Sequence, residues 1–180
     1  YIETYGVNAF RFTDSLINGS MKAFIDMCMG LTTIRNSLPE EEKFTWDAHF
    51  IVRNKRAMPA YVYDLMASAG AGTLLIGIES GSQDVRNHMK KMFNEEDLEF
   101  TKAQISRVGV RCRMLIIVGY PTETEKNFQE TVDMFTKYRK YALNGIVEHV
   151  NLGLTLNLLP GTPLDKDKKN KVREALRTVC

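Results

Sequence analysis

The stretch Gly77-Ile78-Glu79-Ser80-Gly81-Ser82 sets a carboxylate and two hydroxyls among three glycine and isoleucine positions, directly after the apolar run Leu74-Leu75-Ile76. Glycines let a ligand approach the backbone closely. A carboxylate at the end of an apolar strand costs free energy unless it is paired or meets a ligand, so Glu79 reads as a binding group. Ser82 is placed to cap a helix running from Asp84 to Met89. Gly119-Tyr120-Pro121-Thr122-Glu123-Thr124 repeats the pattern, and Thr13-Asp14-Ser15 follows Phe10-x-Phe12. Pro160-Gly161-Thr162-Pro163 forms a rigid turn.

Alternation inside the strands that precede these stretches sorts residues by face. Asp47, His49, Ile51 and Arg53 oppose Trp46, Ala48, Phe50 and Val52; Gly77 and Glu79 oppose Ile76 and Ile78. Asn151, Gly153, Thr155 and Asn157 oppose Val150, Leu152, Leu154, Leu156 and Leu158. A polar stripe on three strands is expensive to bury, and it reads as the lining of a cleft, with an internally hydrogen-bonded barrel interior as the alternative. Other chemistries lack their residues. Gly70-Ala71-Gly72 precedes a strand where the dinucleotide fingerprint follows one, and there is no phosphate loop, no zinc-type spacing of His49, His88 and His149, and no G-x-S-x-G elbow.

The elements that must position these groups alternate. Gly6, Gly70, Gly109 and Gly145 each close a helical stretch, and strands are expected over Ala9 to Asp14, Thr45 to Val52, Thr73 to Ser80, Arg111 to Gly119 and Ile146 to Leu158. Helical stripes run through Met21, Phe24, Ile25, Cys28 and Leu31; Val62, Leu65, Met66 and Ala69; Leu98, Thr101, Ile105 and Val108; and Phe128, Val132, Phe135, Tyr138 and Ala142. Pro59, Asn94 and Thr122 to Glu125 mark helix starts. Alternation of this kind demands parallel strands, giving an α/β fold: an open doubly wound sheet or a partial barrel, since 180 residues fall short of the ~250 of a closed one. In either, ligands bind at the carboxyl ends of the strands.

Composition bounds the rest. Apolar residues at 44% and charged residues at 26% describe one globular domain, and a net charge of +2 makes no case for nucleic acid or a membrane surface. The longest apolar run is five residues, Met114 to Val118, far below a membrane span of ~18. Three scattered cysteines, Cys28, Cys112 and Cys180, point to a reducing, cytoplasmic setting and to packed thiols. The chain opens on Tyr1 in what reads as the tail of a helix, as expected of a fragment.

Taken in order, Phe10-x-Phe12-x-Asp14, Gly77 to Ser82, Gly119 to Thr124 and Pro160 to Pro163 resemble the radical S-adenosylmethionine enzymes, most closely the branch often associated with a cobalamin-binding domain. The resemblance covers Asn8 to Leu164. It implies a partial (β/α) barrel over residues 1–180 that supplies strands two to six of the family, truncated on its N-terminal side. It further implies a 4Fe-4S cluster that reduces S-adenosylmethionine to methionine and a 5′-deoxyadenosyl radical, for hydrogen abstraction or methyl transfer on an unknown substrate. An electron donor such as flavodoxin or ferredoxin and a small-molecule substrate would be partners.

The family's C-x-x-x-C-x-x-C loop is absent from this sequence, and the resemblance places it upstream of Tyr1. Position by position, it assigns Thr13, Asp14 and Ser15 to the methionine amino group, although the usual Gly-Gly-Glu is replaced there. Glu79 and Ser80 would meet the ribose or methionine moiety, and Ile117, Gly119 and Tyr120 the adenine. Glu123 falls one residue later than the family pattern. Arg113 is a candidate for the methionine carboxylate, or else a barrel ion pair, and Asn151 for the adenosine. Two other readings stay open: a metal-free barrel lyase or isomerase with Glu79 or His49 as general base, and a nucleotide-binding module without chemistry.

Overall fold

In the computed structural model, which describes residues 1–153 and 160–167, five strands form a single sheet. They are β1 (Ala9–Arg11), β2 (Thr45–Phe50), β3 (Ala71–Glu79), β4 (Arg111–Ile117) and β5 (Val147–Gly153). Each pairs in parallel with its predecessor, in the order β1-β2-β3-β4-β5. Of the two α/β folds that the alternation allowed, sequential parallel order makes this the partial barrel that the resemblance implied. The strands are shorter at their carboxyl ends than the sequence runs: β1 stops at Arg11 and β4 at Ile117, which leaves the polar stretches beyond them as loops. Residues 154–158 of the expected last strand, with Thr155 and Asn157, lie outside the described residues.

The helices that precede or connect these strands are α1 (Ile2–Tyr5), α2 (Met21–Ser37), α3 (Ala60–Ser68), α4 (Gln83–His88), α5 (Glu95–Arg107) and α6 (Glu125–Leu143). The glycines that close α1, α3, α5 and α6 all take positive φ, between 64° and 92°. At Gly70 a side chain is also excluded by space, because a Cβ would lie 2.7 Å from the Phe44 carbonyl. Two helices begin on capping boxes: Asn94 with Asp97, and Thr124 with Asn127.

Period-two alternation in the strands puts Trp46, Ala48, Phe50, Leu74, Ile76, Ile78, Cys112, Met114 and Ile116 on one face, each no more than 2% exposed. They pack in one cluster with Phe24 and Cys28 of α2, Val62 and Met66 of α3, Leu98 and Ile105 of α5, and Met134 and Tyr138 of α6. The helices thus cover one face and leave the other, concave face to the polar stripe.

One helix departs from its expected stripe. In α6 the buried residues are Asn127, Thr131, Met134 and Tyr138, while Phe128 and Val132 are each 37% exposed. The reason is the backbone of the β3–α4 turn. A Cβ on Gly81 would sit 2.5 Å from the Thr131 Cα and 2.6 Å from the Glu130 carbonyl, so α6 packs on bare main chain there and meets it with polar groups. Thr131 Oγ1 accepts from Gly81 N–H at 3.0 Å, and Asn127 Nδ2 donates to Ser82 Oγ at 2.8 Å. Ser82 consequently holds α6 and makes no side-chain cap of α4, contrary to the sequence expectation.

Candidate functional site

The carboxyl end of the central strand β3 carries the most unusual backbone of the concave face. Glu79 takes φ 69°, left-handed for a non-glycine residue, where the register between β3 and β4 shifts. Such a conformation costs on the order of 1–3 kcal/mol and persists only where the surroundings enforce it. It turns the Glu79 carboxylate back over Gly77, with Oε1 only 2.4 Å from where a Cβ on Gly77 would stand. Lys91 Nζ donates to that oxygen at 2.8 Å and to the Gly77 carbonyl at 3.3 Å. Lys90, immediately before Lys91, is the second non-glycine residue with positive φ, at 58°. Two strained residues therefore present one ion pair, with side chains only 18% and 22% exposed.

The turn beneath the pair is over-determined. Ser80 is fully buried; its Oγ lies 3.3 Å from Thr131 Oγ1 and accepts from Ser82 N–H. Arg86 of α4, 1% exposed, donates to the carbonyls of Ser80 and Gly81 and stacks on Phe93. Ser80 thus holds the turn, and its hydroxyl is spent inside the protein instead of on the cleft as the sequence suggested.

Glu79, Lys91 and Gly77 line a cavity of about 150 Å³ with Ser15, Leu16, His49, Ile51, Leu75 and Leu115. Ser15 is brought there because the segment after β1 continues along β2: Phe12 N–H donates to the Asp47 carbonyl and Ile17 N–H to the His49 carbonyl. Asn18 clamps the end of this segment, accepting from Ile51 N–H and donating to Ile51 C=O. Thr13 and Asp14 lie exposed on the same segment.

On β4 the remaining candidates separate. Ile117 faces the concave side, and Gly119, at φ 78°, donates its N–H to Glu123 at 2.6 Å. The other oxygen of Glu123 is buried without a partner. Tyr120 is turned away: it is buried, with its hydroxyl 3.0 Å from His88 Nδ1 and its phenol pKa pushed up by that burial. Arg113 pairs with Leu75, not with the strand end, and its Nε donates to Glu148 at 3.1 Å. It stands four residues, ~13 Å, below the level of Ile117, so the barrel ion pair is the role the geometry gives it. Asn151 pairs with Leu115 on the concave side.

Two larger grooves, about 330 Å³ beside β1 and about 450 Å³ between α6 and β5, are lined almost wholly by apolar side chains. Neither gathers convergent polar groups, and the smaller cavity at Glu79 is the candidate site among the described residues.

The chain superposes, over 94% of its length, on the radical S-adenosylmethionine methyltransferase TsrM from Kitasatospora setae in its tryptophan- and aza-SAM-bound structure, with a TM-score of 0.78 at 20% identity and 31% of that chain covered. The chain shares the fold of that enzyme's barrel. The same barrel recurs in the cobalamin-dependent enzyme OxsB, at a TM-score of 0.71 and 18% identity, over 97% of this chain and 29% of that one. Coproporphyrinogen III oxidase of Escherichia coli matches at a TM-score of 0.57 and 15% identity, over 94% of this chain and 40% of that one.

Among curated proteins, the tRNA-2-methylthio-N(6)-dimethylallyladenosine synthase of Corynebacterium diphtheriae is 29% identical over 150 residues, 77% of this chain and 25% of that protein. The threonylcarbamoyladenosine tRNA methylthiotransferase of Drosophila melanogaster is 37% identical over 70 residues, 37% of this chain and 12% of that protein. The chain spans between 12% and 38% of the lengths of such relatives. No family model matches the chain.

Proposed function

We propose that this chain is the barrel core of a radical S-adenosylmethionine enzyme and that its strand ends bind the methionine and adenosine parts of that molecule. The observation that carries the reading is the Glu79–Lys91 pair, held over Gly77 by strained backbone at the carboxyl end of the central strand. An ion pair set on such backbone offers a carboxylate to an ammonium and an ammonium to a carboxylate, which are the two charged groups of a free amino acid. Gly77, lacking a side chain, leaves the room in which the Glu79 carboxylate and the Lys91 ammonium meet. In this reading Lys91 takes the methionine carboxylate, the role the sequence suggested for Arg113. Glu79 takes the amino group, with Thr13, Asp14 and Ser15 on its far side. Ile117 and the backbone of Gly119 offer an apolar surface and polar main chain to the adenine, with Tyr120 anchoring their loop to α4 through His88. Asn151 lies within the same concavity for the ribose.

The described residues do not fit a 4Fe-4S cluster: no three of His, Cys, Asp and Glu converge among them. Cys28 and Cys112 are buried in α2 and β4, with thiols that burial pushes up to about 12. Cluster thiolates, reductive cleavage, an electron donor such as flavodoxin or ferredoxin, and any cobalamin domain therefore belong to the proposal for the whole enzyme, while this barrel supplies binding and orientation. Acid–base chemistry by Glu79 is the weaker alternative, since its carboxylate is already engaged by Lys91.

Calorimetric titration with S-adenosylhomocysteine, paired with thermal melts, tests the reading. Glu79→Gln and Lys91→Met should each weaken binding by roughly 1.5–3 kcal/mol, the value of a charge-assisted hydrogen bond, with the fold retained. Unchanged affinity with a lowered melting temperature would make the pair structural only.

A further inference from the structure

Below the Glu79 site, the concave face holds a second set of polar groups that the reading above does not use. The register aligns His49 with Leu75, Leu75 with Arg113, and Arg113 with His149, so these four form one row across β2 to β5. The row above it, through Gly77, Leu115 and Asn151, is mostly apolar, and Ile51 extends that surface at the β2 side. Leu75, Leu115 and Ile51 thus floor a trough, with polar ends.

Charge along the trough is unbalanced. Glu148 is shared by Arg111 at 2.6 Å and Arg113 at 3.1 Å, one carboxylate against two guanidiniums. The neighbouring carboxylate, Asp47, is occupied by Arg11 and by Thr73 N–H. Arg113 makes its one hydrogen bond through Nε, so its terminal nitrogens have no partner among the described residues, and its side chain is 42% exposed. The imidazoles of His49 and His149 likewise make no hydrogen bond there. An arginine fork beside an imidazole, with one positive charge in excess, is a site for an oxyanion.

We propose that Arg113 and His149 anchor a carboxylate or phosphate at one end of the enzyme's substrate, with the apolar body of that substrate lying on Leu75, Leu115 and Ile51. The inference rests on the barrel reading and adds a ruler to it. Four residues of strand separate Arg113 from Ile117, so the anionic group sits ~13 Å below the strand ends where the reacting carbon would be presented.

The three histidines of the chain make the test direct: His49 and His149 belong to the row, and His88, on the outer side with Tyr120, does not. With ¹³C-labelled histidine, titration of the 180-residue chain with 4-phenylbutyrate or phenyl phosphate, at matched ionic strength, should move the His149 and His49 imidazole resonances saturably at millimolar concentration and leave His88 in place. Comparison of the two probes decides between carboxylate and phosphate. Arg113→Gln should weaken the response by roughly fivefold or more. His149→Gln, at an exposed position, gives the same test read at His49 if Arg113→Gln fails to fold. Equal shifts at all three histidines, no saturation by ~10 mM, or an unchanged response in both variants would overturn the anchor. S-adenosylhomocysteine in the same samples separates the two claims: its binding without anion binding removes the anchor alone, and anion binding without it keeps the anchor and removes the proposed function.

Discussion

Lys102 of α5 is 4% exposed, within 3.2 Å of Glu99 and over the ring faces of Tyr138 and Tyr141 of α6. Burial, the largest effect, lowers its pKa from 10.5 to about 7, against the pull of Glu99. The sign follows from linkage. Below about 7 the lysine is protonated in both the folded and unfolded chain, and folding bears the whole cost of burying the charge. As the pH rises toward 10.5 the unfolded chain binds the proton that the folded one has released, so stability increases with pH over that window. Integrating one proton between pH 6.5 and 9 gives on the order of 2–3 kcal/mol. The tyrosine faces favour the charged form, so this is an upper bound. Lys102→Met keeps the stem and removes the charge, and Glu99 retains Lys137 at 2.6 Å, so no carboxylate is orphaned. Urea unfolding of both proteins at pH 6.5 and 9 isolates the effect: the variant should be the more stable at pH 6.5 by roughly 1–3 kcal/mol, with the gap closing at pH 9. Parallel pH dependence of the two proteins, or a Lys102 ¹³Cε titration near 10.5, would refute the reasoning.

Three further outcomes are expected. Gly81→Ala forces backbone against backbone at Thr131 and Glu130, and should destabilise by roughly 1–3 kcal/mol or more; a wild-type urea midpoint would show that α6 does not dock there. Gly77→Ala meets only the side-chain ends of Glu79 and Lys91, so the melt should be nearly preserved while displacement of the pair lowers S-adenosylhomocysteine affinity about tenfold; equal losses of both would count against Gly77 as the cradle of a binding pair. Iodoacetamide at pH 8 should leave Cys28 and Cys112 unmodified in the native protein, given thiols near 12, and reconstitution with iron and sulfide should give no cluster absorption dependent on either; labelling or cluster loss on their mutation would contradict both.

Much of this was legible in the residues because two signals are local. Period-two alternation assigned Trp46, Ala48 and Phe50 to the core and His49 to the concave face, and helix-closing glycines marked where four of the five strands begin, β2 entering without one. Glu79 stood out as a carboxylate after an apolar run. What the sequence hid depends on contacts between distant segments. Lys91 reads as one more charge in Lys90-Lys91, and only the return of the chain after α4 brings it to Glu79. The buried face of α6 misled for a similar reason: Asn127 and Thr131 are polar because they meet the main chain of Gly81, which no hydrophobic stripe can report. Arg113 read as a partner for the methionine carboxylate, and the sheet register set it beside Glu148, away from the strand ends.

The strand order has a consequence for how the molecule comes to exist. Since each strand lies beside the one made just before it, no segment of the sheet waits for a partner encoded far downstream. The loops to be closed are short ones, each spanning one crossover, and loop entropy grows only slowly with such lengths. A chain leaving the ribosome can therefore add β2 to β1, then β3 to β2, each arrival finding a finished edge as its template. Among the described strands, the order of pairing is the order of translation.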